Sequence, residues 1–196
     1  MSERQFLRPA VFLDRDGTIG EEMGYVNHID RFQVFPYAAE AIRHLNEADI
    51  PVIVVTNQSG IARNIFPESL VHEVHKKMVA ELAKGGAWID AIYFCPHKSE
   101  DACVCRKPNP GLLEQAAREH GLELPGSWVV GDRYADLEMG HAAGARGILV
   151  MTGYGRGEYE LHRSTWPRQP DALAANLSDA VRQILRNRAG APSRDE

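Results

Sequence analysis

Short apolar runs without polar alternation recur along this chain, separated by longer amphipathic stretches, and that rhythm constrains the fold more than any other feature. Residues 10–13, 52–55, 91–94, 128–130 and 148–150 read as strands, because an unalternating, β-branched run suits a strand buried on both faces. The stretches between them carry helical spacing. Residues 38–48 place Ala38, Ala41, Ile42 and Leu45 on one side. Residues 67–83 open on Pro67 and stop before Gly85-Gly86. Residues 110–120 bring Leu112, Leu113, Ala116 and Ala117 together and meet a capping glycine at Gly121. Residues 135–143 and 177–186 complete the set. Strands alternating with helices predict an α/β fold: a doubly wound parallel sheet with helices on both faces. In such sheets ligands bind beyond the carboxyl ends of the strands, so the residues that follow each strand are the ones to read for chemistry.

The 196 residues fit one domain, expected over residues 1–187, with the polar stretch 188–196 read as a disordered tail. Lys and Arg number 22 against 27 Asp and Glu, a net charge of −5 that argues against a nucleic-acid-binding face. No apolar run is long enough to cross a bilayer and the first residues carry no signal-peptide pattern, so a cytoplasmic monomer without membrane or nucleic-acid partners is expected.

After the first strand stands Asp14-Arg15-Asp16-Gly17-Thr18, two carboxylates one residue apart with a glycine that frees the backbone. After the second comes Thr56-Asn57-Gln58-Ser59-Gly60, whose hydroxyls, amides and N–H groups suit an anion. After the fourth comes Gly131-Asp132-Arg133, with Asp136 beyond it. Arg106-Lys107-Pro108 lies between the third and fourth. Each alone also fits a turn, a helix cap or a solvated surface. Together they are more specific. Asp14, Asp132 and a backbone carbonyl near Asp16 make a hard oxygen site suited to Mg²⁺. Thr56 and Lys107 offer a hydroxyl and an ammonium for phosphate oxygens. One carboxylate can attack phosphorus while the other transfers protons.

These residues, in this order, resemble the four motifs of the haloacid dehalogenase superfamily phosphatases, over about residues 11–155. The resemblance implies Asp14 as nucleophile, Asp16 as general acid and base, Thr56 and Lys107 as stabilisers of the phosphoryl group, and Mg²⁺ held by Asp14, the Asp16 backbone and Asp132. The chain leaves no room for the large cap domain of many relatives, so the site should be open to small, extended phosphate esters.

All three cysteines fall between Cys95 and Cys105, and His97 joins them. Cys95, His97, Cys103 and Cys105 form a Cys₃His set with no open position, which points to structural Zn²⁺; buried reduced cysteines beside a surface histidine are the plainer alternative. Arg106 and Lys107 follow Cys105 directly, so a zinc loop would fix both cations. The loop combined with the phosphatase motifs is similar to two groups within the superfamily, the heptose bisphosphate phosphatases and the histidinol-phosphate phosphatases. Residues 24–26, 29–32 and 56–63 resemble the heptose group. That resemblance implies removal of the 7-phosphate from D-glycero-D-manno-heptose 1,7-bisphosphate. It also implies a sugar site lined by Glu22, Met23, Gly24 and Tyr25, contacts from Asn57, Gln58 and Ser59, and Arg106 on the distal phosphate. Arg133 takes a position that usually carries Lys, and Gly20 one that is often polar. A non-enzymatic phospho-receiver also groups carboxylates, a Thr and a Lys-Pro around Mg²⁺, but there the Lys-Pro follows the last strand.

The remaining histidines, from His28 to His162, read as surface or helix decoration, and Trp88, Trp128 and Trp166 as packing. Residues 153–157, Gly-Tyr-Gly-Arg-Gly, read as a flexible loop at the rim.

Overall fold

The computed structural model describes residues 7–189. Six parallel strands, β1 (Arg8–Leu13), β2 (Val52–Asn57), β3 (Ala91–Cys95), β4 (Leu122–Gly131), β5 (Arg146–Val150) and β6 (Ala172–Ala174), form one sheet in the order β3-β2-β1-β4-β5-β6. Helices α1 (Ala38–Glu47), α2 (Glu68–Lys84), α3 (Gly111–His120), α4 (Tyr134–Ala142), α5 (Gly155–His162) and α6 (Leu177–Ala189) connect and cover it.

The unalternating strands are explained by what lies on each side. In β1, Ala10 and Phe12 enter a core shared with Leu112, Leu113 and Ala116 of α3 and Met139 of α4. Val11 and Leu13 enter the opposite core, with Ile42 and Leu45 of α1, Met78 and Leu82 of α2, and Val181 and Ile184 of α6. Successive side chains point to opposite faces, so a strand covered on both has no polar positions. Each fully buried aliphatic or aromatic side chain contributes about 2 kcal/mol. Gly121 ends α3 with φ +62° and donates its N–H to Ala117 O, turning the chain straight into β4.

Four expectations change. β4 begins at Leu122 rather than Trp128, and its Pro125-Gly126 pair, which resembles a break, accompanies a register shift against β1 between Pro9 and Val11. Residues 155–157 of the expected rim loop instead open α5. Gly155 is there because a Cβ would sit 1.8 Å from Val150 O, so close approach rather than mobility explains it. Arg188 and Ala189 close α6, while residues 190–196 of the expected tail lie outside the described residues. His75 is buried beneath Phe94 and His141 pairs with Asp171 at 2.8 Å, whereas Trp88 is exposed. Trp128 is buried under the Arg146 guanidinium, and Trp166 stacks on Tyr134.

β1 pairs with β2 on one side and β4 on the other, which makes the gap above β1 the switch point where doubly wound sheets bind ligands. Among the described residues no helix is long and apolar enough to cross a membrane.

Candidate active site and metal centre

Leu13 pairs with Val130 across the sheet, so Asp14 and Asp132 leave adjacent strands together. The Asp14 N–H donates to Val130 O at 2.9 Å. Lys107, almost wholly buried, places Nζ 2.6 Å from Asp14 Oδ1 and 2.6 Å from Asp136 Oδ1. Asp136 Oδ2 accepts the Arg133 N–H at 3.0 Å, so both of its oxygens are engaged at the start of α4. Oxygens of Asp14, Asp132 and Asp136 lie within 4.8 Å of one another. Burial pushes the Asp14 carboxyl up to about 7 even though the Lys107 charge pulls the other way. Burial, with the charges of Asp14 and Asp136, pushes Asp132 up to about 9. Burial opposes the Lys107 charge, but Asp136 and Asp14 outweigh it and keep the ammonium protonated.

The backbone wraps this acid group closely. Asp132 Oδ2 accepts the Tyr154 N–H at 2.8 Å. Gly17 (φ +79°) and Gly153 (φ +52°) would each bring a Cβ within about 2.2 Å of the same oxygen. Thr152 Oγ1 ties the two loops by donating to Gly17 O at 2.5 Å. Asp132 Oδ1 is buried and has no partner among the described residues. An orphaned carboxylate oxygen beside a second buried carboxylate is costly unless a cation meets it, and oxygen donors of this kind suit Mg²⁺.

Asp16 faces the same cavity. Its Oδ1 accepts from Arg15 Nε at 3.1 Å, and its Oδ2 from Arg15 Nη2 at 2.8 Å and Gln58 Nε2 at 3.1 Å. Gln58 Nε2 also donates to Thr56 Oγ1 at 2.9 Å. Asn57 clamps the Lys107 backbone, accepting its N–H at 3.2 Å and donating to its carbonyl at 3.4 Å.

The cavity above these groups has a volume of about 460 Å³ and is also lined by Glu22, Gly24, Tyr25, Ser59, Arg106, Arg133, Tyr154 and Glu158. Glu22 Oε1 accepts the Gly24 N–H at 2.6 Å, and burial raises its carboxyl above the usual range. Met23 stands outside the lining, and Arg31 holds its carbonyl at 2.9 Å. The Arg133 guanidinium lies 3.6 Å over the Tyr154 ring, with Nη1 3.2 Å from Glu158 Oε1.

Beside the cavity, Cys95, His97, Cys103 and Cys105 bring three sulfurs and Nδ1 of His97 within 4.8 Å of one another, and no disulfide forms. The sulfurs of Cys105 and Cys95 are 3.1 Å apart, those of Cys105 and Cys103 3.3 Å, and those of Cys95 and Cys103 3.5 Å. A tetrahedron built on a Zn–S bond of about 2.3 Å has edges of about 3.8 Å, so the cluster is the size of a zinc site. Arg106 Nη1 donates to His97 O at 3.0 Å, tying the guanidinium to this loop.

The chain is 42% identical over 192 residues to the D-glycero-D-manno-heptose-1,7-bisphosphate 7-phosphatase of Thermosynechococcus vestitus, covering 90% of this chain and 95% of that one. The chain belongs to the family of heptose-bisphosphate 7-phosphatases. A second member of that family, from Yersinia pestis, is 42% identical over 153 residues, which cover 74% of this chain and 81% of that one. The crystal structure of the D,D-heptose 1,7-bisphosphate phosphatase of B. bronchiseptica, complexed with magnesium and phosphate, superposes with a TM-score of 0.84. It has 36% identity and covers 91% of this chain and 99% of that one. The wider family described as "HAD-hyrolase-like" matches residues 104–180.

In this heptose-bisphosphate phosphatase family member, four cavity or near-cavity residues escaped the sequence reading of roles. Arg15 and Asp136 stand inside the motifs, where charge alone does not say which neighbour each serves. Tyr154 lies in the segment read as a loop and Glu158 just past it, and only a helical spacing from Tyr154 to Glu158 would have put them on one side.

Proposed function

We propose that this chain hydrolyses the 7-phosphate of D-glycero-D-manno-heptose 1,7-bisphosphate. The observation that carries this reading is the convergence of Asp14, Asp132 and Lys107 at the switch point, beneath a cavity also lined by Arg106 and Arg133. Two phosphates need two cationic positions, and the cavity offers Lys107 at its floor and the arginines nearer its mouth. Relatives with this architecture are named for that substrate.

In the first half-reaction an Asp14 oxygen bonds to phosphorus as the bond from phosphorus to the C7 oxygen breaks. The electron pair leaves with that oxygen, and Asp16 supplies its proton. In the second, Asp16 takes a proton from water as the water oxygen attacks the aspartyl-phosphate. Inorganic phosphate departs and the Asp14 carboxylate returns. The Lys107 ammonium and the Thr56 hydroxyl counter the charge on the phosphoryl oxygens. Asp14, Asp132 and the Asp16 carbonyl would hold Mg²⁺, which when bound supplies further charge neutralisation. Glu22, Gly24, Tyr25 and Ser59 face the sugar. Asn57 acts through Lys107, whose backbone it clamps.

Cys95, His97, Cys103 and Cys105 would hold a structural Zn²⁺, since four protein ligands leave no open position. The zinc loop at residues 95–105 is an insert within a single catalytic domain. Three reduced thiols suit a cytoplasmic setting.

The deciding experiment compares kcat/KM on both anomers of heptose 1,7-bisphosphate with kcat/KM on histidinol phosphate. The bisphosphate should be preferred at the 7-position, giving the 1-phosphate and inorganic phosphate. Preference for histidinol phosphate would overturn the assignment.

A further inference from the structure

We propose that Arg15 and Gln58 are positioning residues that fix the direction in which Asp16 presents its proton; this rests on the reading of Asp16 as the general acid. Arg15 is 1% exposed, and burying a guanidinium is costly unless its pairing repays the lost hydration. Among the described residues its one carboxylate partner is Asp16, which it grips at both oxygens, at 3.1 and 2.8 Å. This fork-to-fork pairing sets the carboxylate plane as well as its place. The Phe32 ring, 5.3 Å from the guanidinium carbon, packs against the other side. The main chain supports the same geometry. Arg15 O accepts N–H groups of Ile19 and Gly20, both at 3.0 Å, so a tight turn follows the Arg15-Asp16 pair.

Gln58 adds the second restraint. Its amide has two protons and spends one on Asp16 Oδ2 and one on Thr56 Oγ1. The acid is thereby held in register with the hydroxyl assigned to the phosphoryl group. Gln58 is itself 5% exposed and lines the same cavity as Asp16. A surface-type salt bridge would tolerate loss of either partner, but three donors on one half-buried carboxylate leave little freedom of aim.

The test exploits the leaving group. Departure of a sugar alkoxide needs the proton from Asp16, whereas p-nitrophenolate leaves without one. Arg15→Met and Gln58→Leu are compared with the unaltered enzyme by kcat/KM, which reports events up to release of the alcohol. General acid catalysis contributes about 10²–10⁴-fold, so a misaimed acid should lower kcat/KM on the heptose bisphosphate by tens-fold or more. Arg15→Met should lose less than about threefold on p-nitrophenyl phosphate, whose first step does not use the proton. Gln58→Leu, which also removes the bond to Thr56, is read by the ratio of its two losses. Arg15→Lys, which keeps the charge and loses the fork, should fall between. If Arg15→Met does not fold, Gln58→Leu carries the same comparison. Equal losses on both esters, or none on either, would overturn the proposal while leaving the phosphatase reading intact. An unaltered enzyme that turns over neither ester would overturn both.

Discussion

Nζ of Lys107 lies 2.6 Å from Oδ1 of Asp14, joining residues 93 positions apart in a single buried ion pair. The same ammonium meets Asp136 at 2.6 Å, so one cation serves the attacking carboxylate and the helix that follows Asp132. Lys107→Met should leave two buried carboxylates without their cation and remove one phosphoryl contact. Loss of a single preorganised donor of this kind costs about 10²–10³ in rate, which steady-state kcat on the bisphosphate would read.

Asp14→Asn keeps the shape of the side chain and abolishes nucleophilic attack. The variant should show no turnover above background and no aspartyl-phosphate after a quench with acid, while its circular dichroism matches the unaltered protein. Retained turnover would reassign the nucleophile.

Stability should depend on pH in an unusual direction when no cation is bound. Asp132 is raised from its ordinary 3.8 to about 9, and Asp14 from 3.8 to about 7, so the folded state holds more protons than the unfolded one between those values. Stability then falls as pH rises from about 4 toward 9, and a bound divalent cation offsets that loss. The gain in Tm on adding Mg²⁺ should be small at pH 5 and largest near pH 8.5. A gain independent of pH would refute this account.

Zinc should copurify at about one equivalent per chain, as four protein ligands require. Cys105→Ser should lose the metal and lower Tm. It should also raise KM for the bisphosphate, because Arg106 is anchored to the carbonyl of His97 within the same loop. Elemental content and KM measured on the same preparation check both halves.

Arg133 is held by the Tyr154 ring at 3.6 Å and by Glu158 at 3.2 Å. Glu158→Gln should loosen that guanidinium and weaken binding of a bisphosphate more than of a monophosphate. A several-fold difference in the two KM changes is expected, since an exposed charge pair is worth roughly 0.2–1 kcal/mol and a charged hydrogen bond somewhat more.

What was legible in the sequence followed from position. Asp14, Thr56 and Asp132 sit at or just past apolar runs, and a parallel sheet brings the ends of its strands together. The Cys₃His set was legible because all the thiols share one short segment. Arg15 was not, since a charged residue inside a motif can as easily face solvent, whereas here its guanidinium is buried and paired with Asp16. Gln58 reads as a ligand contact and does line the cavity, while its bonds to Asp16 and Thr56 emerge only from the structure. Tyr154 and Glu158 were hidden because Gly153 and Gly155 resemble a flexible loop, whereas both are small because other atoms crowd them. β6 is only three residues long, too short to carry a periodic signal.

The attachment of Arg106 to His97 divides the molecule into a fixed part and an exchangeable one. Asp14 and Asp132 follow directly on two central strands of the sheet, whose two cores would resist change. The guanidinium instead rides on the segment between β3 and α3, where its Nη1 holds the His97 carbonyl. Changing residues 98–102, which lie between His97 and Cys103 of the cluster, would therefore retune which small phosphate is accepted while Asp14, Asp132 and Lys107 keep their places, a route by which one scaffold diversifies without risking its chemistry.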